Sequence, residues 1–106
     1  MSETDLVGDV LAAMAYEPGV WAARNNTGML RKGRHYIRYG LGNGSADIIV
    51  IVAPVGRLVA LECKVGREKQ SSDQIEWERA VRSVGGYYAV VRSVADAREA
   101  VQKART

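Results

Sequence analysis

Two carboxylates and a lysine stand out in this chain of 106 residues because each borders or interrupts an apolar run. Asp47 precedes one such run, and Glu62, Cys63 and Lys64 end the next one. Charged side chains are almost never buried unless they are paired or bound to a metal. Because side chains alternate along a strand, Glu62 and Lys64 share one face, and Cys63 points to the other. A hairpin of the two runs would bring Asp47 beside Glu62 and Lys64 at one sheet edge.

These groups suit a divalent cation and a water molecule that must lose its proton. Mg²⁺ binds carboxylate and carbonyl oxygens and keeps several of its waters. The backbone carbonyl of Cys63 lies between Glu62 and Lys64 and can supply another oxygen. The same spacing also occurs by chance, with the acids as a surface pair and the lysine as a solvated charge. The glycine-rich stretch before Asp47 favours the functional interpretation, since glycine lets a bulky polymer approach the backbone closely.

Two further residues are candidates for this site, and each has a simpler alternative role. Gln74 completes a capping box with Ser71 at a predicted helix start, but it also begins an apolar stripe that is expected to face the sheet. That stripe continues through Trp77, Val81 and Val84. Glu3 lies one turn before the apolar stripe of the first helix, where an acid also complements the helix dipole. Spacing therefore slightly favours a site role for Gln74, and for Glu3 it favours the dipole role.

Residues 24–39 form a basic segment that contains no acid. Most charge runs are solvated surfaces, but this one leads directly into the predicted metal site, which favours contact with phosphates. The candidate DNA contacts are Arg24, Asn26, Arg31, Lys32, Arg34, Tyr36, Arg38 and Ser45. His35 has no second histidine with which to share a metal, so we assign it to contact or surface.

Composition predicts one globular domain that spans residues 1–106. The chain is 47% hydrophobic and 25% charged, with only two prolines. No apolar run approaches the roughly 18–20 residues needed to span a bilayer, and the N-terminus is acidic, so a soluble cytoplasmic protein is expected. A single cysteine excludes an internal disulfide and a cysteine-based zinc site. The net charge of +3 permits nucleic-acid binding without demonstrating it.

Apolar periodicity, capping residues and turn residues predict the element order α, β, loop, β, β, α, β, α. Helices are expected to start at Glu3, after Ser71 and after Ser93, with the second ending near Val84. A short strand is possible at 35–39. Trp21 and Trp77 are expected in the core, and Cys63 is expected to be a buried, inert thiol.

Several motifs in this order resemble the VRR-Nuc domain, a virus-type replication–repair nuclease of the PD-(D/E)XK superfamily. They are Glu3 at a helix start, Arg24-Asn25-Asn26-Thr27-Gly28, Gly44-Ser45-Ala46-Asp47, Glu62-Cys63-Lys64 and Gln74-Ile75-Glu76-Trp77. The resemblance covers nearly the whole chain. The D…E-x-K element is specific only to the superfamily, whereas the other motifs together are much more specific. Ala46 stands where the superfamily pattern has a proline.

The resemblance implies an α/β fold with a restriction-endonuclease-like αβββαβ core, a central mixed sheet and flanking helices. The implied ligands of Mg²⁺ or Mn²⁺ are Asp47, Glu62, the Cys63 carbonyl and Glu3. Lys64 would position or deprotonate the attacking water, and Gln74 would support this group.

The implied activity is metal-dependent cleavage of branched, junction-like DNA by a homodimeric endodeoxyribonuclease in a bacterial or phage-infected cell. The terminal helix is one candidate for the dimer patch, with Ala97, Ala100, Val101 and Ala104. Alternatives are a DNA-binding module that does not cut, a monomeric flap or nicking nuclease, and a structural protein whose carboxylates are incidental.

Overall fold

The computed structural model describes residues 1–105, which form three helices and six strands. In chain order these are α1 (Glu3–Met14), β1 (Val20–Arg24), β2 (Gly28–Lys32), β3 (His35–Tyr39), β4 (Ile48–Val52), β5 (Arg57–Cys63), α2 (Ser72–Ser83), β6 (Tyr87–Val91) and α3 (Val94–Ala104). Four strands form one sheet in the order β1-β4-β5-β6, in which only β5 and β6 are parallel. Strands β2 and β3 form a separate hairpin. The predicted α/β fold with a mixed sheet flanked by helices is confirmed.

The sheet separates two layers of side chains. Alternate residues of β4 and β5 are buried against α1 and α3, and they include Ile48, Val50, Val52, Val59, Leu61 and Cys63. On the other face, a smaller cluster of Ala46, Ala60 and Tyr88 packs with Trp77 of α2. Burial of one such aliphatic side chain contributes roughly 1.5–3 kcal/mol, so the larger cluster fixes the sheet against α1 and α3.

The helices begin where the capping residues predict. Ser2 and Asp5 form a complete capping box at α1, and Ser71 and Gln74 form another at α2. Ser93 caps α3 by accepting a hydrogen bond from the backbone N–H of Asp96. None of the helices in residues 1–105 is long and apolar enough to cross a membrane.

Three expectations about which residues are buried are wrong. Val84 does not face the sheet, because α2 ends at Ser83 and leaves Val84 85% exposed. Trp21 is 58% exposed rather than in the core, since it lies on the sheet face that α2 covers only in part. The alanine-rich stripe of α3 cannot be a free dimer patch, because it is buried with residues of α1 and the sheet in the larger of the two clusters, which we call the main cluster.

The basic segment is more regular than predicted. Residues 28–32 form β2 rather than a loop, and β2 pairs with the strand at 35–39 that the sequence suggested. The two-residue connection Gly33-Arg34 has a positive φ at Gly33, as a tight hairpin turn requires. Nine of the ten strand residues are exposed. Neither strand therefore needs the alternating apolar pattern by which a half-buried strand is predicted.

The loop that precedes Asp47 is pressed against the N-terminus of α2. Gly44 has a φ of +77°, and a Cβ built there would lie 2.2 Å from the backbone oxygen of Asp73. The indole Nε1 of Trp77 also donates to the Leu41 carbonyl at 3.3 Å. Close packing at Gly44 therefore holds the chain that enters β4 against the helix that carries Gln74.

We predict that Gly44→Ala destabilises the protein much more than Gly42→Ala. Both glycines have positive φ, but a Cβ at Gly42 would meet no atom within 4 Å. Gly42→Ala should cost about 1–2 kcal/mol through its backbone conformation alone. Gly44→Ala adds the collision with Asp73 and should cost about 3 kcal/mol or more. Urea unfolding measures both, and equal losses would show that the loop does not pack against α2 in this way.

Candidate metal and active site

The β4–β5 hairpin brings the first two carboxylates together. Its antiparallel register pairs Ile48 with Leu61, so the next pair outward is Asp47 and Glu62, on one face of the sheet. The Asp47 Oδ2 accepts a hydrogen bond from the backbone N–H of Cys63 at 2.8 Å. Asp47 is thereby held at the end of β5, as the sequence predicts.

Lys64 continues the same face just beyond β5. Its Nζ lies 3.7 Å from the Glu62 Oε2, and both side chains are buried. The backbone N–H of Lys64 donates to the Val91 carbonyl at 3.0 Å, which extends the pairing with β6 by one residue. The ammonium is therefore fixed beside the carboxylates rather than extended into solvent.

Gln74 has both of the roles that the sequence left open. Its Oε1 accepts from the backbone N–H of Ser71 at 2.8 Å, which completes the capping box. Its Nε2 donates to the Glu62 Oε2 at 3.2 Å. Because the two ends of one amide make these bonds, the start of α2 also orients Glu62.

Glu3 reaches the site from the opposite face of the sheet. It is the first residue of α1, whose apolar stripe packs against the sheet. The helix therefore begins near the end of the sheet at which β4 starts and β5 ends. One carboxylate oxygen each from Glu3, Asp47 and Glu62 lies within 4.8 Å of the other two. The structure thus brings together the acids that the sequence predicted, including the one that spacing alone did not favour.

The electrostatics of the cluster are dominated by the burial of Glu62, which is only 1% exposed. Burial, reinforced by the neighbouring Asp47, raises the pKa of Glu62 from 4.5 to about 8, although Lys64 opposes the rise. Burial also raises the pKa of Glu3, and Asp47 adds to that effect. Among residues 1–105, the Glu62 Oε1 is one of two buried side-chain polar atoms without a hydrogen-bond partner.

These features fit a divalent cation. Two oxygens on opposite sides of Mg²⁺ are about 4.2 Å apart, since each lies about 2.1 Å from the ion. One oxygen of each carboxylate lies within 4.8 Å of the other two, so small side-chain movements would let the three share one ion, and a cation would give the Glu62 Oε1 a partner. It would also relieve the repulsion that raises the Glu62 pKa.

Cys63 contacts the site through its backbone N–H, which binds Asp47, rather than through its thiol. Burial raises the pKa of the thiol to about 12, with Asp47 and Glu62 adding to the rise, and the side chain lies in the main cluster. The thiol therefore remains protonated near neutral pH, which agrees with the prediction of a buried, inert cysteine.

Asn25 supports the site, although the sequence did not identify it as a candidate. Its Nδ2 donates to the Ser45 Oγ at 2.8 Å and to the Ala46 carbonyl at 2.9 Å. Its backbone N–H donates to the Asp47 carbonyl at 2.8 Å. Asn25 belongs to the Arg-Asn-Asn motif, but the motif does not distinguish its partly buried side chain from that of the exposed Asn26.

The candidate DNA contacts fall into two groups. Arg24 and Asn26 are exposed near the site, whereas Arg31, Lys32, Arg34, Tyr36 and Arg38 lie on the exposed β2–β3 hairpin. Ser45 is instead engaged within its own loop, because its Oγ donates to the Gly42 carbonyl and accepts from Asn25. Ser45 thus shapes the approach to Asp47.

No protein-family model matches this chain, and no curated protein matches it. A proposed function therefore has to explain the donor atoms of this site, their burial and their charges.

We predict that the metal-free protein loses stability as the pH rises from about 4.5 to about 8. Across this range the folded state keeps a proton on Glu62 that the unfolded chain has released. Because the folded state binds more protons, the free energy of unfolding falls as the pH rises. Thermal unfolding should show this trend in the wild type, and Glu62→Gln should flatten it.

Mg²⁺ or Mn²⁺ should restore stability more at pH 8 than at pH 5, since metal ligands must be deprotonated. Glu76→Gln is the matched control, because Glu76 is an exposed acid on α2 that pairs only with Arg79 in the described chain. A pH profile that Glu62→Gln leaves unchanged would contradict the assignment of the shifted group.

Proposed function

We propose that this protein is a metal-dependent endodeoxyribonuclease of the VRR-Nuc type that hydrolyses phosphodiester bonds in branched, junction-like DNA. The observation that carries the proposal is the convergence of Glu3, Asp47 and Glu62 on one point, with Lys64 beside them. The order of motifs along the chain supports the same assignment.

The proposed cofactor is Mg²⁺ or Mn²⁺, held by Glu3, Asp47 and Glu62 with the Cys63 carbonyl as a further ligand. When bound, such an ion lowers the pKa of water and offsets negative charge on a phosphate. Among the chain's own groups, Lys64 would hold the attacking water and stabilise charge as the water loses its proton, and its contact with Glu62 supports this role. Gln74 keeps Glu62 oriented through its hydrogen bond to Oε2.

Hydrolysis of the phosphodiester requires one bond to form and one to break. The attacking water gives one proton to solvent and its oxygen bonds to phosphorus, while the bond from phosphorus to the leaving sugar oxygen breaks and the leaving oxygen takes a proton from solvent. Lys64, with a cation when one is bound, would supply positive charge where negative charge develops on the phosphate.

A binding module that does not cut DNA is the main alternative. It would need the basic residues but would have no use for a buried lysine that contacts a buried acid. Desolvating an ion pair is costly, and this pair is accompanied by the unpartnered oxygen of Glu62. The catalytic interpretation accounts for these features together.

We predict that Asp47→Asn, Glu62→Gln and Lys64→Met each reduce DNA cleavage by roughly 100-fold or more. Double variants should be little worse than single ones, since the residues act as a unit. The assay compares linear, flapped and four-way DNA with Mg²⁺, Mn²⁺, Ca²⁺ or excess chelator.

Glu76→Gln serves as the control and should cut like the wild type. Ca²⁺ should support binding but little cleavage, because its longer and looser coordination positions the water poorly. Cleavage that persists in excess chelator would rule out the metal mechanism, and full activity of Lys64→Met would remove that residue from it.

The proposal includes a homodimer, because a junction must be cut on two strands of opposite polarity and a two-fold pair supplies two such sites. Because the alanine-rich stripe of α3 is buried, we place the interface instead on an apolar row formed by Trp21, Ile51 and Leu58. These three exposed side chains lie opposite one another on β1, β4 and β5. A self-complementary patch of this kind suits a two-fold interface.

Sedimentation at micromolar concentration should therefore give about twice the chain mass of 11.6 kDa. Ile51→Lys should give the monomer, because it places a charge in the middle of the apolar row. Val55→Ser is the control, since Val55 is also apolar and exposed but lies in the β4–β5 turn. A wild-type protein that stays monomeric would favour a flap or nicking nuclease instead.

A further inference from the structure

The β2–β3 hairpin projects from the domain as an arm, which we define as residues 28–39. Its strands pair only with each other, and nine of their ten residues are exposed. The described chain is accordingly elongated, with extents of 46 × 32 × 24 Å. An isolated two-stranded hairpin is marginally stable in water, so this arm is suited to gain order from a partner.

The arm has two chemically different faces. Its register places Met29, Arg31, Tyr36 and Arg38 on one side, which we call the basic face. The other side carries the cross-strand pair Leu30 and Ile37, with Tyr39 toward the base and the pair Lys32 and His35 toward the tip, and we call it the apolar face after its central pair. Leu30 is 60% exposed and Ile37 is 50% exposed, although both are aliphatic. The pair stabilises the hairpin across its strands, and half or more of each side chain stays exposed to a partner.

The base of the arm is joined to the segment that carries Asp47. Arg38 donates to the side chain of Asn43, and Thr27 hydrogen-bonds Ser45. The backbone N–H of Asn25, just before the arm, donates to the Asp47 carbonyl. Five strand residues extend roughly 17 Å, so a partner along the arm would lie within reach of the carboxylates at its base.

The chemistry of the two faces selects the partner. The basic face suits phosphates, but Leu30 and Ile37 have no side-chain hydrogen-bonding groups and cannot read base edges in an intact groove. They match the flat apolar surface of a base pair whose stacking neighbour is absent. In a continuous duplex, unstacking costs a few kcal/mol, whereas at a branch point the stack between neighbouring arms can open at lower cost.

We infer that the arm recognises the branch point of DNA, with Leu30 and Ile37 packed on the exposed base pair and Arg31 and Arg38 on flanking phosphates. This inference rests on the proposed action on branched DNA and adds the element that selects the branch. The basic face would then provide affinity for any DNA, and the apolar face would provide the preference for branched over linear DNA.

The test measures binding to a four-way junction and to a linear duplex of the same arm sequence, by fluorescence anisotropy in Ca²⁺. The double variant Leu30→Ser/Ile37→Ser should lose roughly tenfold in junction affinity and keep its affinity for the linear duplex. Arg31→Ala/Arg38→Ala should weaken both and reduce the salt slope by about 0.9 for each lost phosphate contact. Met29→Ser, an apolar change on the basic face, is the matched control and should retain the junction preference.

Equal loss on both DNAs by the Leu30/Ile37 variant, or an unchanged junction preference, would overturn the inference. The variant should unfold at the wild-type temperature, since neither side chain is in the core. If the variant instead dissociates a dimer in the absence of DNA, the apolar face is an interface between copies and the inference is also wrong.

The same proteins assayed with Mn²⁺ separate this inference from the proposed nuclease activity. Junction-selective binding that depends on Leu30 and Ile37 without any cleavage would remove the nuclease proposal alone. Cleavage with a junction preference that ignores both residues would remove the arm inference alone.

Discussion

The burial of Glu62 beside Asp47 is the constraint on which the rest of this structure depends. The β4–β5 register makes the two acids neighbours, and Glu62 is almost fully buried and contacts Gln74 of α2. Cys63 N–H, Gln74 and Lys64 each offset part of the resulting charge. They do not fully stabilise a second negative charge, since the pKa of Glu62 is still raised to about 8 and the acid keeps its proton near neutral pH. A divalent cation is the partner that would stabilise both carboxylates in their charged form.

The surrounding elements are arranged to deliver groups to this point from different directions. The hairpin supplies two carboxylates, α1 brings Glu3 from the opposite face of the sheet, and α2 brings Gln74. Both α1 and α2 start at a capping box, which fixes where the first turn lies. The close contact at Gly44 then holds the strand entry against α2. The elements that hold the site are therefore packed against one another, whereas the strands of the arm beside it are mostly exposed.

Much of the site could be predicted because its geometry follows from local rules. Period-two alternation and one hairpin are enough to bring Asp47, Glu62 and Lys64 together. Glu3 could not be placed from spacing, because its position depends on how α1 packs across the sheet. Strand β2 was missed since an exposed hairpin needs no apolar alternation, and Trp21 was misassigned because the sequence does not reveal how much of a sheet face one short helix covers.

The central claim is that Glu3, Asp47 and Glu62 hold one divalent cation, and titration calorimetry with Mn²⁺ at pH 7 tests it most directly. Repeating the titration in buffers with different ionisation enthalpies gives the number of protons released on binding. We predict saturable binding with the release of close to one proton, because Glu62 is largely protonated before the ion binds. Glu62→Gln should weaken binding and abolish the proton release. The absence of saturable binding, or binding that Glu62→Gln leaves unchanged, would contradict the account.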